Sequence, residues 1–126
     1  MPRSSTKQPS QRQLQMGEEI RHALTSILQR GGFDDPLLME GSVITISEVS
    51  LSPDLKNATV YTMTLAGRRI HETLAALNTY APRLQHELGK RIRVKFLPRL
   101  KFVEDTTFAN AEHIDALIRQ ANITHE

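Results

Sequence analysis

The spacing of apolar residues switches several times between helical and strand-like along this chain, and these changes restrict the fold class. Between residues 11 and 30, large apolar side chains recur every three or four positions, which is typical of one face of a helix. Residues 43–51 and 58–65 are instead rich in Val, Ile and Thr and read as strands, and helical spacing returns over residues 70–88. An α+β fold is therefore predicted, with two neighbouring strands after the first helix.

Signals at both ends delimit the first helix. Ser10 and Gln13 have the spacing of a capping box, in which each side chain bonds the backbone N–H of the other residue. Gly31-Gly32 follows the last apolar residue of the pattern, and glycine ends helices without steric cost. A helix over residues 11–30 is predicted.

The two β-branched runs predict an antiparallel hairpin. Residues 52–54, Ser-Pro-Asp, supply turn chemistry between the runs because proline pre-sets its backbone angle. In the first run, Ile44 and Ile46 share one parity, whereas Val49 and Leu51 have the other. Either that strand is buried on both faces, or a bulge near Ser47-Glu48 restores the phase.

A proline interrupts the helical stretch at residues 70–88. Pro82 removes a backbone donor and disfavours helical geometry at Ala81, yet the apolar spacing resumes beyond it. In the first turn of a new helix a proline is tolerated, because the donor there has no partner in the helix. We therefore expect a break at Tyr80-Ala81, with Pro82 opening a second helix.

A run of charge of one sign is the most informative feature of the chain. Alternate positions after residue 91 are apolar and are predicted to face the core along a third strand: Ile92, Val94, Phe96, Leu100 and Phe102. The intervening positions are cationic except for Leu97, and no acid lies among them. With Lys90 before the run and Arg83 on the preceding helix, the candidate RNA-binding residues are Arg83, Lys90, Arg91, Arg93, Lys95, Arg99 and Lys101.

The spacing of these cations is what favours an anionic partner. Side chains on one face of a strand lie ~6.6–6.8 Å apart, close to the phosphate spacing of an extended nucleic-acid strand. A solvated strand face would also carry Lys and Arg. Cations of one sign at this spacing repel each other, however, and a bound polyanion relieves that repulsion. The pattern therefore favours an anionic partner over a merely solvated face.

Several classes of function are excluded by what the sequence lacks. Without cysteine there is no disulfide framework, thiolate zinc site or cysteine nucleophile. His71, His86 and His113 lack the spacing of a helical metal site, and Glu104-Asp105 has no histidine or nucleophile near it in sequence. We expect no enzymatic activity, no metal and no cofactor.

The chain of 126 residues suits one domain and is short for two. Residues 1–10 are predicted to be a disordered basic tail, residues 11–121 one folded domain that closes with a short helix, and residues 122–126 a frayed end. The predicted order is α-β-β-α-(kink)-α-β plus that C-terminal helix. No apolar run approaches the ~20 residues of a membrane span and no signal peptide is evident, so a cytoplasmic protein is expected.

Two helices joined by a kink, beside a basic strand, suggest a KH-like nucleic-acid module. The G-x-x-G sequence of such modules is missing, and Tyr80-Ala81-Pro82 stands in its place. Residues 11–120 resemble the ribosome-binding factor A family, whose KH-like fold has a helical kink instead of that loop. The blocks that carry the resemblance are residues 48–61, 88–93, 98–102 and 114–118. The family kink usually reads Ala-x-Gly, so this chain departs from the pattern there.

The resemblance implies a single KH-like domain, with a three-stranded sheet and helices packed on one face. It also implies a cytoplasmic, non-enzymatic monomer that binds free small (30S) ribosomal subunits and 16S rRNA, with contact to the 5′-terminal helix of that RNA. Such a factor assists late maturation and rRNA processing, and it is tied to growth in the cold. The residues leave one alternative open, a duplex-DNA-binding regulator that uses residues 70–89 as a helix-turn-helix.

Overall fold

The computed structural model describes residues 8–31, 33–39 and 44–107. The elements in these ranges are α1 (Gln11–Arg30), α2 (Pro36–Met39), β1 (Ile44–Leu51), β2 (Asn57–Thr64), α3 (Ile70–Thr79), α4 (Ala81–Gly89) and β3 (Arg99–Glu104). The strands form one sheet in the order β1-β2-β3, with β1 and β2 antiparallel and β2 and β3 parallel. The predicted α+β class is confirmed. Most of the predicted tail, the closing helix and the frayed end lie outside the described residues.

The first helix has the predicted limits and the predicted caps. The Ser10 hydroxyl accepts a hydrogen bond from the Gln13 backbone N–H at 3.1 Å, and the Gln13 side-chain oxygen accepts one from the Ser10 N–H at 2.8 Å. At the other end Gly31 takes a φ of +72°, which glycine adopts without steric cost, and its N–H bonds the Leu28 carbonyl.

A bulge resolves the change of parity in β1. The pairing with β2 slips between Ile46 and Glu48, so the strand inserts one extra residue there. Ile46 and Val49, on either side of the bulge, are both buried on the helix-covered face. Of the two interpretations that the sequence allowed, the bulge is the one the structure shows.

The core lies between this sheet face and the helices. From the helices come Ile20, Leu24, Leu77, Leu84 and Leu88, and from the sheet Ile46, Val60, Leu100 and Phe102, all at most 9% exposed. Packing α1 against β1, and α3 and α4 against β3, buries the apolar stripe of each helix on one side of the sheet. Among residues 8–107 as far as described, no helix is long and apolar enough to cross a membrane.

The prediction of a strand from residue 91 onward is wrong for residues 91–98. After α4 the chain makes one more helical turn, in which the Ile92 N–H bonds the Leu88 carbonyl at 3.0 Å. Pairing starts only where Arg99 lies beside Asn57, because β2 itself begins at Asn57. Residues 91–98 have no strand of the described chain beside them. The alternation of charged and apolar residues before Arg99 therefore reflects alternate exposure and burial without sheet pairing.

Candidate nucleic-acid interface

Six of the predicted cations form one exposed segment between α4 and the middle of β3. This basic segment comprises Lys90, Arg91, Arg93, Lys95, Arg99 and Lys101, and each of these side chains is exposed. Only Arg99 and Lys101 share a strand face as predicted, and they lie beside Asn57 and Thr59 on the sheet face opposite the core. The other four lie on the turn and loop before the strand. The predicted row of evenly spaced cations is therefore corrected to a curved path, while their outward orientation is as predicted.

The loop that carries the segment is braced from α4. Gln85 donates from its amide nitrogen to the carbonyls of Leu97, at 3.2 Å, and Pro98, at 2.9 Å. Pro98 is fully buried, and the Arg99 N–H bonds the Lys56 carbonyl at 2.9 Å as pairing with β2 begins. These three hydrogen bonds fix the backbone of the loop where it enters β3.

The remaining predicted cation, Arg83, belongs to a stack that includes the kink. Its guanidinium lies 5.1 Å from the centroid of the Phe33 ring, within range of a cation–π interaction. Phe33 in turn meets Tyr80 edge to face, with ring centroids 5.5 Å apart. The bulky tyrosine of the kink therefore helps to position Arg83 through an aromatic ring from the chain after α1.

A notch of about 210 Å³ opens beside this stack, between the end of α1 and α4. Three arginines line it, Arg30, Arg83 and Arg91, together with one carboxylate, Glu87. Arg91 is oriented by a hydrogen bond from its guanidinium to the Ser26 hydroxyl at 3.2 Å. Arg30 was not among the cations predicted from the sequence. Nothing in the sequence at the end of α1 indicates that this side chain lies near Arg83 and Arg91, more than fifty positions later.

The carboxylate of Glu87 partly neutralises the positive charge around the notch. Glu87 accepts a hydrogen bond from the Lys90 ammonium at 3.2 Å, and that bond holds the pKa of the Glu87 carboxyl below its usual value. The nearby charges of His86 and Arg30 lower that pKa further. Glu87 therefore stays ionised at neutral pH and pairs with Lys90 of the basic segment.

The kink has the predicted form. α3 ends at Thr79, Tyr80 takes φ −88° and ψ 2°, and α4 starts at Ala81 with Pro82 in its first turn. The hydrogen bond from Leu84 N–H to the Tyr80 carbonyl, at 2.9 Å, begins the new helix without needing a donor from Pro82. Tyr80 and Ala81 pack partly buried against the core, whereas Pro82 is exposed.

Phe96 lies on the opposite side from the one predicted. The alternation placed it in the core, but it is 77% exposed, and Leu97 packs against the core in its place. The chain bends at Lys95 and Phe96, where the alternation is interrupted, and it resumes with the same parity at buried Pro98 and Leu100. The Lys95 ammonium lies 5.5 Å from the centroid of the Phe96 ring.

The helix-turn-helix alternative finds little support in the geometry of α4. A recognition helix reads bases with side chains that are free to reach the groove. In α4, Gln85 is committed to the carbonyls of Leu97 and Pro98, and Leu84 and Leu88 are buried. Glu87 on the same helix would repel phosphates. The helix serves chiefly to hold the basic segment.

Comparison with known sequences points to one family. The chain matches the family described as ribosome-binding factor A over residues 12–118. The ribosome-binding factor A of Agrobacterium fabrum is 44% identical over 127 residues, covering 100% of this chain and 91% of the relative. That of Xanthobacter autotrophicus is 45% identical over 118 residues, covering 94% and 78%. The family match includes the kink and the whole basic segment.

Solved structures agree with the sequence relatives. The crystal structure of ribosome-binding factor A from Thermus thermophilus superposes with a TM-score of 0.63 at 29% identity, covering 73% of this chain and 94% of that one. A Thermotoga maritima ribosome-binding factor A solved by NMR gives 0.65 at 28% identity, covering 81% and 94%. A homology model of the Thermus thermophilus factor, fitted into a cryo-electron-microscopy map of its complex with the 30S subunit, gives 0.57 at 28% identity, covering 71% and 90%.

Proposed function

This chain belongs to the ribosome-binding factor A family, and from that premise we propose that it binds free small ribosomal subunits by contacting 16S rRNA with the basic segment. The Thermus thermophilus relative has been fitted into a map of a 30S complex. That complex supports the small subunit as the partner of this chain, and the rRNA at its surface supplies the polyanion that the cations require.

The observation that carries the proposal is the exposed charge of residues 88–103. All six cations of the basic segment are exposed, and no carboxylate occurs anywhere in that stretch of sequence. The notch adds Arg30 and Arg83 beside Arg91. Because Gln85 braces the backbone of the loop at Leu97 and Pro98, that part of the backbone does not have to be ordered when RNA binds.

The mechanism is selection of an RNA conformer. A protein that binds one arrangement of the rRNA more tightly than another shifts the population toward the first, and no covalent bond has to change. In this proposal the chain acts as a cytoplasmic, non-enzymatic monomer. It contacts the 5′-terminal helix of 16S rRNA and thereby assists late maturation of the subunit and processing of the rRNA. Loss of the protein would impair growth most at low temperature.

The basic segment can be tested with the double change Arg93→Ala and Lys95→Ala. Contact with about five phosphates predicts a log–log slope of affinity against salt of roughly −3.5 to −4.5. Removing two contacts should weaken subunit binding about tenfold and reduce the magnitude of that slope by about 1.5. Both side chains are exposed, so the melting temperature should hardly change. Sedimentation with purified small subunits at several salt concentrations measures both quantities.

A matched control removes the same charge elsewhere. The double change Arg12→Ala and Arg68→Ala also deletes two exposed cations, from α1 and from the chain before α3. It should leave affinity within about twofold, since screening limits long-range effects. Equal losses from the two pairs would show that net charge matters and the segment does not. Tight retention on duplex DNA with none on small subunits would favour the helix-turn-helix alternative.

Pro82→Ala tests the kink. Alanine restores the missing donor and favours a helix that continues through Tyr80, so far-UV circular dichroism should show a small gain in helicity. A straightened helix would separate Tyr80 from Phe33 and reorient the Arg83 guanidinium. Subunit binding should then weaken about threefold or more. Pro53→Ala, at an exposed position in the β1–β2 turn, is the control and should change neither measurement. Unchanged binding with increased helicity would show that the kink does not set the interface.

A further inference from the structure

The aromatic ring of Phe96 is exposed to solvent. It is 77% exposed, whereas the other phenylalanine and tyrosine rings in the described part of the chain are buried, as in Phe33 and Phe102, or half-buried, as in Tyr61 and Tyr80. An apolar ring of this size is among the side chains that gain most from burial. Leu14 and Leu65 are the other large apolar side chains exposed in the described residues, and of the three only Phe96 lies within the basic segment.

The exposure does not come from a loose loop. Val94 and Leu97, on either side of the bend, pack partly buried against the core. Pro98 is fully buried and its carbonyl accepts a hydrogen bond from Gln85 at 2.9 Å. The backbone on both sides of Phe96 is thus anchored, and the ring is presented outward from a fixed bend.

The charges around the ring specify what can cover it. The Lys95 ammonium lies over one face of the ring, 5.5 Å from its centroid, and exposed Arg93 and Arg99 flank the bend in sequence. An apolar protein surface that covered the ring would have to desolvate these cations without neutralising them, which is costly. A nucleotide satisfies both features, since its base offers a flat π-face and its phosphate offers negative charge.

We propose that Phe96 is a stacking platform for an unpaired base of RNA, with Lys95 beside it on the neighbouring phosphate. This inference rests on the proposed function and narrows its ligand to RNA with an accessible, unstacked base. A duplex hides its base faces within the stack, so beside a paired element such as the 5′-terminal helix the platform would take a base from an unpaired end, a loop or a bulge and not from the stem.

The absence of tryptophan from the sequence provides a direct probe. Phe96→Trp places the only indole of the chain at the platform, where it can still stack. Titration with a twelve-nucleotide single-stranded oligoadenylate should quench its fluorescence, and the same strand paired with oligouridylate should quench it much less. The control is Leu65→Trp, at a residue that is 67% exposed in the turn between β2 and α3. Its fluorescence should not respond.

Phe96→Leu provides the affinity measurement. It keeps an apolar side chain and removes the π-face, so affinity for the single strand and for small subunits should fall about fivefold or more. The salt slope should stay unchanged, in contrast to the Arg93 and Lys95 double change, because no phosphate contact is lost.

The possible results separate the two proposals. Unaltered affinity of Phe96→Leu, together with no quenching of Phe96→Trp, overturns the stacking platform and leaves the proposed function intact when the wild-type chain binds subunits with a steep salt slope. Weaker binding to subunits but not to the oligonucleotide, without quenching, assigns Phe96 to a ribosomal protein and also overturns the platform. A wild-type chain that binds neither subunits nor RNA overturns both proposals.

Discussion

Gly17→Ala is expected to lower the free energy of unfolding by about 2 kcal/mol, although in an isolated helix the same change would raise stability by about 1 kcal/mol. Gly17 is buried where α1 crosses β1. A Cβ atom there would meet the Val49 carbonyl oxygen inside van der Waals contact distance. That oxygen belongs to a strand backbone fixed by the pairing of Val49 with Val60, so α1 must move outward. Equilibrium urea unfolding measures the loss.

A second glycine provides the control for this prediction. At Gly89, the last residue of α4, an added Cβ would meet only the Cδ1 atom at the far end of the Leu97 side chain, at 2.9 Å. That group can rotate aside, so Gly89→Ala should cost less than about 1 kcal/mol. If Gly17→Ala were as stable as the wild type, the close approach of α1 to β1 would be refuted.

Asn78→Asp is expected to destabilise the fold by about 2 kcal/mol. The Asn78 side chain donates to the Phe102 carbonyl at 3.0 Å and accepts from the Phe102 N–H at 2.9 Å, so it pairs with β3 as a further strand would. An aspartate keeps the acceptor but loses the donor, and its charge then faces the Phe102 carbonyl oxygen. It also adds negative charge near the C-terminal end of α3, which the helix dipole disfavours.

The same chemical change at Asn57 separates this effect from a general effect of added charge. Asn57 is exposed at the start of β2, beside Arg99 across the sheet, and an aspartate there should alter stability by less than about 0.5 kcal/mol. Urea unfolding of both variants gives the comparison. Equal stability of the two variants would mean that the bonds from Asn78 to Phe102 contribute nothing net to the edge of β3.

The sequence predicted those elements whose determinants are local. The limits of α1 follow from a capping box and a terminal glycine, and the break at Tyr80 follows from one proline, so each signal lies within a few residues of the feature it sets. For β1 the sequence left two interpretations open, a bulge or burial on both faces. A change in the parity of apolar residues shows that the strand is irregular but does not distinguish between these two. The short helix α2, at Pro36–Met39, carries no amphipathic signal, and the predicted order of elements does not include it.

The errors come from features that depend on distant residues. Alternation between Arg91 and Lys95 reflects alternate exposure, whereas a strand also needs a partner, and β2 offers none before Asn57. The outward position of Phe96 depends on buried Pro98 and on a hydrogen bond from α4, which no local pattern encodes. Likewise Arg30 joins the notch only through the packing of α1 beside α4. The exposure of the predicted cations could thus be read from the sequence, but the path they follow and the presence of Arg30 beside them could not.

The parallel pairing of β2 with β3 determines at what stage of chain synthesis the basic segment can be completed. β1 and β2 are neighbours in sequence and can pair as soon as both are present, but β3 joins the sheet only after the chain has passed through α3 and α4. Contacts between residues so far apart in sequence carry a larger entropic cost of closure than those of the hairpin. Arg99 and Lys101 take their places only at that last step. A partly synthesised chain that ends before β3 lacks Arg99, Lys101 and the pairing that anchors the preceding loop, so we expect it to bind the proposed ligand less tightly than the finished chain does.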